Sequence, residues 1–239
     1  MSIAENIAAV RARIADAAQE AGRDPGEIML VGASKMNGAE ACREAVAGGI
    51  DALGENRVQE MLAKLDEDAY AGAPLHFIGH LQRNKVRQVV GKVELIQSVG
   101  SLELLGEIEK CAAKVGVVQD VLLEVNVGGE AAKSGFSVSE IFQGAEAALG
   151  CLHIRVLGLM TIPPFDAERE ENLRYFEKVR TLYVDIGAKL FHNGFRYLSM
   201  GMSGDFEDAI RSGATMVRVG TAIFGSRNYA PPAGQEELP

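Results

Sequence analysis

Apolar residues recur at helical spacing near the start of the chain. Ile3, Ile7, Val10, Ile14 and Ala18 share one face of residues 2–22, which predicts an amphipathic helix. After the Arg23-Asp-Pro-Gly26 turn the pattern changes, and short apolar runs alternate with stretches of helical period. The runs predict strands over Ile28–Ser34, Ile50–Leu53, Leu75–Ile78, Leu95–Ser98, Val121–Asn126, Val156–Thr161, Arg196–Ser199 and Met216–Val219. Helical patterns lie between them, around 38–48, 56–70, 82–91, 101–115, 137–149, 168–187 and 204–212. Nearly unbroken apolar strands suit a parallel sheet covered on both faces. Eight strands alternating with helices predict an α/β protein, a single (β/α)8 TIM-like barrel rather than an open doubly wound sheet. The barrel is expected to fill residues 1–230, with 231–239, rich in Pro, Gly and Glu, a disordered tail.

Composition narrows the function classes. The 239 residues are 47% hydrophobic, enough for one barrel-sized core. A net charge of −9 and scattered Lys and Arg remove the electrostatic case for nucleic-acid binding. No apolar stretch approaches a membrane span, and residues 1–22 lack the signal-peptide pattern. Cys42, Cys111 and Cys151 are odd in number and far apart, giving neither metal-ligand spacing nor a disulfide framework. The expectation is a soluble, reduced, cytoplasmic protein.

In such a barrel, chemistry collects at the C-terminal ends of the strands. Two of those ends, Ser199-Met-Gly-Met-Ser203 and Arg218-Val-Gly-Thr221, carry small residues just before helix starts. Exposed backbone N–H groups there make an anion cradle, and the last two barrel strands commonly bind phosphate in this way. Ser203 and Thr221 would equally serve as helix caps, a role that uses the same amides. Lys35 directly follows the first apolar strand, so its amine is expected at the barrel mouth. A solvated loop lysine fits the same position, but a partly desolvated one could form a Schiff base. A phosphorylated aldehyde would satisfy Lys35 and the cradle together. Arg218, a charge within a buried strand, needs a partner: either a barrel carboxylate such as Glu55 or Glu124, or a ligand atom. His76 and His80 lie four apart on a strand-to-loop segment without a nearby third ligand, which argues against a metal. Lys133, on the glycine-rich loop 128–135, is either solvated or able to reach over the mouth.

Several segments together resemble the pyridoxal-phosphate homeostasis proteins. They are Ala33-Ser-Lys35, Gly54-Glu-Asn-Arg-Val-Gln-Glu60, His76-Phe-Ile-Gly-His-Leu-Gln-Arg-Asn-Lys85, Lys133-Ser-Gly135, Gly158-Leu-Met-Thr-Ile-Pro163, Ser199-Met-Gly-Met-Ser203 and Val217-Arg-Val-Gly-Thr-Ala-Ile-Phe-Gly225. They run in order across residues 28–229. The resemblance implies a barrel of the alanine racemase N-terminal-domain type and pyridoxal 5'-phosphate as cofactor. It implies that Lys35 holds the cofactor as a Schiff base, and that Ser203 with the backbone of Gly220 and Thr221 holds the phosphate, assisted by Ser199. Arg218 would face the pyridine nitrogen, and Asn56 and Met160 would line the ring pocket. The chain departs from the commonest form of the family at Met36-Asn37-Gly38 and at Arg57.

Related racemases and decarboxylases carry a second, β-rich domain that supplies dimer contacts and catalytic groups, and this chain is expected to lack it. A racemase needs acid–base groups on both faces of the ligand. Tyr197 within a strand and Tyr229 beyond the barrel are poor candidates for the second face. The expectation is therefore a monomeric carrier that buffers pyridoxal phosphate and serves cofactor-dependent apo-enzymes, with no catalytic residues of its own. An amino-acid racemase or lyase is the alternative, and a Schiff-base aldolase acting on phosphosugars is a further one.

Overall fold

The computed structural model describes residues 1–130 and 134–225. Helix α1 (Ile3–Glu20) opens with a reciprocal cap: the Ser2 hydroxyl accepts the Glu5 N–H, and the Glu5 carboxylate accepts the Ser2 N–H. Its apolar face (Ile7, Val10, Ile14, Ala17, Ala18) is buried. The chain then alternates strand and helix: β1 (Met29–Ala33), α2 (Ala39–Ala47), β2 (Ala52–Glu55), α3 (Val58–Asp66) and β3 (Leu75–Phe77). A 3-10 segment (Arg83–Gln88) leads to β4 (Leu95–Val99), α4 (Leu102–Val115) and β5 (Gln119–Asn126). A two-residue strand β6 (Phe136–Ser137) precedes α5 (Ile141–Leu149), β7 (Ile154–Thr161), α6 (Arg169–Leu190), β8 (Tyr197–Ser199), α7 (Phe206–Arg211), β9 (Met216–Val219) and α8 (Thr221–Phe224).

Eight of these strands close into a parallel ring in the order β1, β2, β3, β4, β5, β7, β8, β9, and β9 pairs back onto β1. This is the expected (β/α)8 barrel. Seven of the eight barrel strands differ from the sequence pattern by one or two residues at an end, most of all the second. The second strand begins at Ala52 and runs through Glu55, because Glu55 is paired with a lysine behind the sheet and so is buried. The expected helix over 82–91 is a short 3-10 segment. β6 is an addition, a parallel extension on β5 made when the chain returns from the loop after that strand.

Strand alternation separates two cores. Most apolar side chains pack between sheet and helices. A smaller cluster, Val31, Ala52, Leu95, Leu122, Leu157, Met160 and Met216, fills the barrel interior. This packed floor closes the barrel from below, so any ligand must sit above it, at the C-terminal ends of the strands. Among the described residues no helix is long and apolar enough to cross a membrane. The tail 231–239 lies outside the described residues.

Candidate functional site

Above the apolar floor the interior turns polar. Arg218 on β9 is buried, and its two terminal nitrogens donate to the Ser199 hydroxyl and, at 2.8 Å, to the Thr161 carbonyl. The Ser199 hydroxyl donates in turn to Gln97 Oε1 at 2.7 Å, and Gln97 Nε2 donates to His76 Nδ1 at 2.9 Å. A chain of side-chain hydrogen bonds thus links β9, β8, β4 and β3. Burial pushes the His76 pKa down to about 4, so its ring is neutral and Nδ1 is free to accept. Burial also lowers the Arg218 pKa to about 10, with Asp205 and Glu124 opposing the change, which leaves the guanidinium charged at neutral pH. Among the described residues its hydrogen-bond partners are a hydroxyl and a carbonyl. Of the two carboxylates considered from sequence, Glu55 is bound to Lys64, and Glu124 accepts from Ser134 while its charge still acts on Arg218.

The cradle is built by the two last strand ends. The loop after β8 turns at Gly201 (φ +94), where a Cβ would lie 2.7 Å from Ala209 Cβ and 2.9 Å from Phe206 Cα. Only glycine lets this loop pass so close to α7. The Gly201 carbonyl accepts the Arg218 N–H at 3.0 Å, and the Ser203 hydroxyl accepts the Gly220 N–H at 3.2 Å. Ser203 therefore ties the β8 loop to the turn before α8. Gly220 lies against the end of β1, since a Cβ built on it would touch the Ala33 carbonyl at 3.4 Å.

Ala33 is two residues before Lys35. Val31 faces the barrel interior, and the Ser34 hydroxyl points behind the sheet, to Glu55 at 2.5 Å. Lys35 is half-buried and lies in the turn that follows β1, two residues beyond its last strand residue. Lys35, Ser203, Arg218, Gly220 and Thr221 thus stand at three consecutive strand ends, those of β8, β9 and β1.

Next to them, over β2, β3, β5 and β7, opens a cavity of about 600 Å³. Asn56, Ile78, Gly79, His80, Glu124, Asn126, Ser134 and Ile162 border it. A wider groove of about 1110 Å³ shares His80 and Ser134 with it and runs on past Arg83, Asn84 and Ser98. Asn56 Oδ1 is buried on this cavity's wall and has no hydrogen-bond partner among the described residues, which leaves it able to accept one from a ligand. Glu124 accepts from the Ser134 hydroxyl at 3.0 and 3.1 Å, and burial raises its pKa above the ordinary carboxylate value.

Two of the expected residues are fully buried. Met160 is fully buried in the interior floor, and Ile162, two residues on, reaches the cavity. Ser199 lies beneath the cradle, with its hydroxyl engaged by Arg218 and Gln97. Sequence reasoning missed Gln97, which carries no local motif, and gave Asn126 no role beyond its place at a strand end. Lys133 and Tyr229 lie outside the described residues. Tyr197 packs against the floor at the start of β8, away from the mouth.

Residues 6–228 match the alanine racemase N-terminal domain. A protein of Aquifex aeolicus named pyridoxal phosphate homeostasis protein is 44% identical over 229 residues, covering 96% of this chain and all of that one. The chain belongs to this family. Proteins of the same name from Pseudomonas aeruginosa and Escherichia coli are 43% and 38% identical over 97% and 95% of the chain. The structure of PipY from Synechococcus elongatus, solved with PLP bound, superposes with a TM-score of 0.82 at 31% identity, covering 94% of this chain and all of that one. Clostridium difficile alanine racemase, at 18% identity and a TM-score of 0.72, shares the fold over 95% of this chain and 57% of its own.

Proposed function

We propose that this protein binds pyridoxal 5'-phosphate at the barrel mouth and buffers it for cofactor-dependent enzymes. The observation that carries this reading is the convergence of Lys35, Arg218 and the Ser203–Gly220 cradle on three consecutive strand ends. The site also fits the group physically. A cavity of ligand size opens over the neighbouring strand ends, bordered by Asn56 and Ile162 and not by Lys35, Arg218 or the cradle residues. Asn56 offers an unpaired buried acceptor beside it. When bound, the cofactor supplies an aldehyde that condenses with a primary amine, and Lys35, in the turn after β1, is the amine we assign to it.

Ser203 and the backbone of Gly220 and Thr221 hold the phosphate, and Asn56 and Ile162 border the ring. Met160 supports that pocket from the floor. Arg218 faces the pyridine nitrogen; a guanidinium has five donors, so the bonds to Ser199 and Thr161 leave capacity for a ligand atom. A positively charged group there keeps the ring nitrogen unprotonated and weakens the ring as an electron sink. That suits storage better than turnover. Ser199 acts one step removed, by holding Arg218. The carrier works as a monomer in the cytoplasm, handing cofactor to apo-enzymes, with the described barrel as its functional unit.

Titration of the purified protein with pyridoxal phosphate, followed by visible absorbance, tests the reading. A saturable band that the Lys35→Ala variant lacks supports it, and no uptake by the parent protein refutes it.

A further inference from the structure

The segment that carries Lys35 is gripped from behind the sheet. The Lys64 ammonium donates to the Ser34 carbonyl at 2.9 Å, to Glu55 Oε1 at 2.6 Å and to Glu60 Oε1 at 2.9 Å. The Ser34 hydroxyl donates to the same Glu55 oxygen, and the Met36 N–H donates to Glu60 Oε1. The Lys35 carbonyl itself accepts from the Asn37 amide at 3.1 Å. One buried ammonium and its two carboxylates therefore hold the residues on both sides of Lys35. These groups lie between β1, β2 and α3, not among the residues that border the cavity.

Two features show that this arrangement does more than fill space. Met36 has φ 63, a left-handed conformation that a non-glycine residue keeps only when its surroundings impose it. Its N–H is the one that Glu60 accepts. The Lys64–Glu55 pair is also almost completely buried, and a buried ion pair is a poor source of stability compared with apolar packing. What it can provide is a fixed geometry.

We infer that Lys64, with Glu55 and Glu60, is a positioning group for Lys35, locking the turn on either side of it so that its amine meets the ligand in one orientation. The inference rests on the reading of Lys35 as the attachment residue. Without the clamp the Ser34–Met36 turn relaxes and the amine samples many directions, so its effective concentration at a bound aldehyde falls.

The test uses the full chain with Glu60→Ala, Glu60→Gln and Lys64→Met. Glu60 is only partly buried, so its variants are expected to fold, as shown by an unchanged circular dichroism spectrum. Three readouts are followed: amide hydrogen exchange at Met36 in cofactor-free protein, the pH profile of Lys35 acylation by an amine-reactive reagent, and the release rate of pyridoxal phosphate. Glu60→Ala should speed exchange at Met36, move the acylation profile and speed release several-fold. Glu60→Gln, whose amide oxygen can still accept the Met36 N–H, should restore part of each effect. Lys64→Met should exceed Glu60→Ala where it folds.

A folded Glu60→Ala protein with parental exchange, acylation and release overturns the clamp. If the parent takes up no pyridoxal phosphate, the cofactor reading fails on its own. The exchange and acylation of the cofactor-free variants still decide whether Glu60 and Lys64 position Lys35.

Discussion

The Ser203 hydroxyl accepts the Gly220 N–H at 3.2 Å, and this bond joins the loop after β8 to the turn after β9. The Gly220 N–H is thus engaged by Ser203, so a phosphate at the cradle would have to draw it away, while the Ser203 hydroxyl proton stays available to donate. Ser203→Ala should weaken retention of pyridoxal phosphate by about 1 kcal/mol, the worth of one ordinary hydrogen bond. That is roughly a fivefold rise in dissociation constant, measurable by equilibrium dialysis. An unchanged constant would mean that the backbone amides suffice.

Arg218 and Ser199 form a unit that a single truncation should expose. In Arg218→Ala the Thr161 carbonyl and the Ser199 hydroxyl lose a buried donor. Unpaired buried groups of this kind cost about 1–3 kcal/mol. Urea unfolding should report that loss, and the bound cofactor should show an altered absorbance as the charge facing its ring disappears. A variant with parental stability would place Arg218 outside the network described above.

His76 makes stability depend on pH. Its folded pKa, about 4, lies below the ordinary value of 6.5. The unfolded chain therefore takes up the proton first as pH falls, and the folded state loses ground between 6.5 and about 4. Every tenfold difference in proton affinity between the two states is worth about 1.4 kcal/mol. His76→Asn, which keeps an acceptor for Gln97 without titrating, should flatten urea midpoints across that window. Parallel midpoint curves for the two proteins would contradict the buried, neutral assignment.

Gly79 sits where no side chain fits. A Cβ there would lie 2.3 Å from the Asn56 carbonyl oxygen and 2.6 Å from its Cα, both backbone atoms with little room to yield. Gly79→Ala should displace Asn56 and cost about 1–3 kcal/mol, as overpacking does. It should also weaken cofactor binding more than its effect on the unfolding midpoint alone would explain. Equal binding by the alanine variant would mean that Asn56 does not contribute to the pocket.

The barrel was legible because buried parallel strands must be apolar on both faces, and runs such as Met29–Ala33 and Met216–Val219 stand out against the helical periods around them. Lys35 and Arg218 stood out at strand ends, where barrel chemistry collects, whereas the role of Asn56 came from the family resemblance. Partnerships between distant elements were not legible. Glu55 looked like a candidate for Arg218 until the structure paired it with Lys64 from α3. The only local hint was the four-residue spacing of Glu60 and Lys64 on that helix. Depth along a strand was equally hidden. Periodicity shows that Met160 and Ser199 face inward, but not that both are fully buried and off the cavity that Ile162 borders.

Borohydride reduction of the protein as purified, with absorbance before and after and peptide mapping of the product, tests the central claim most directly. A yellow protein whose visible band disappears on reduction, leaving a pyridoxyl label on Lys35, is the predicted result. A colourless protein that takes up no added pyridoxal phosphate, or a label that maps to another lysine, would contradict it.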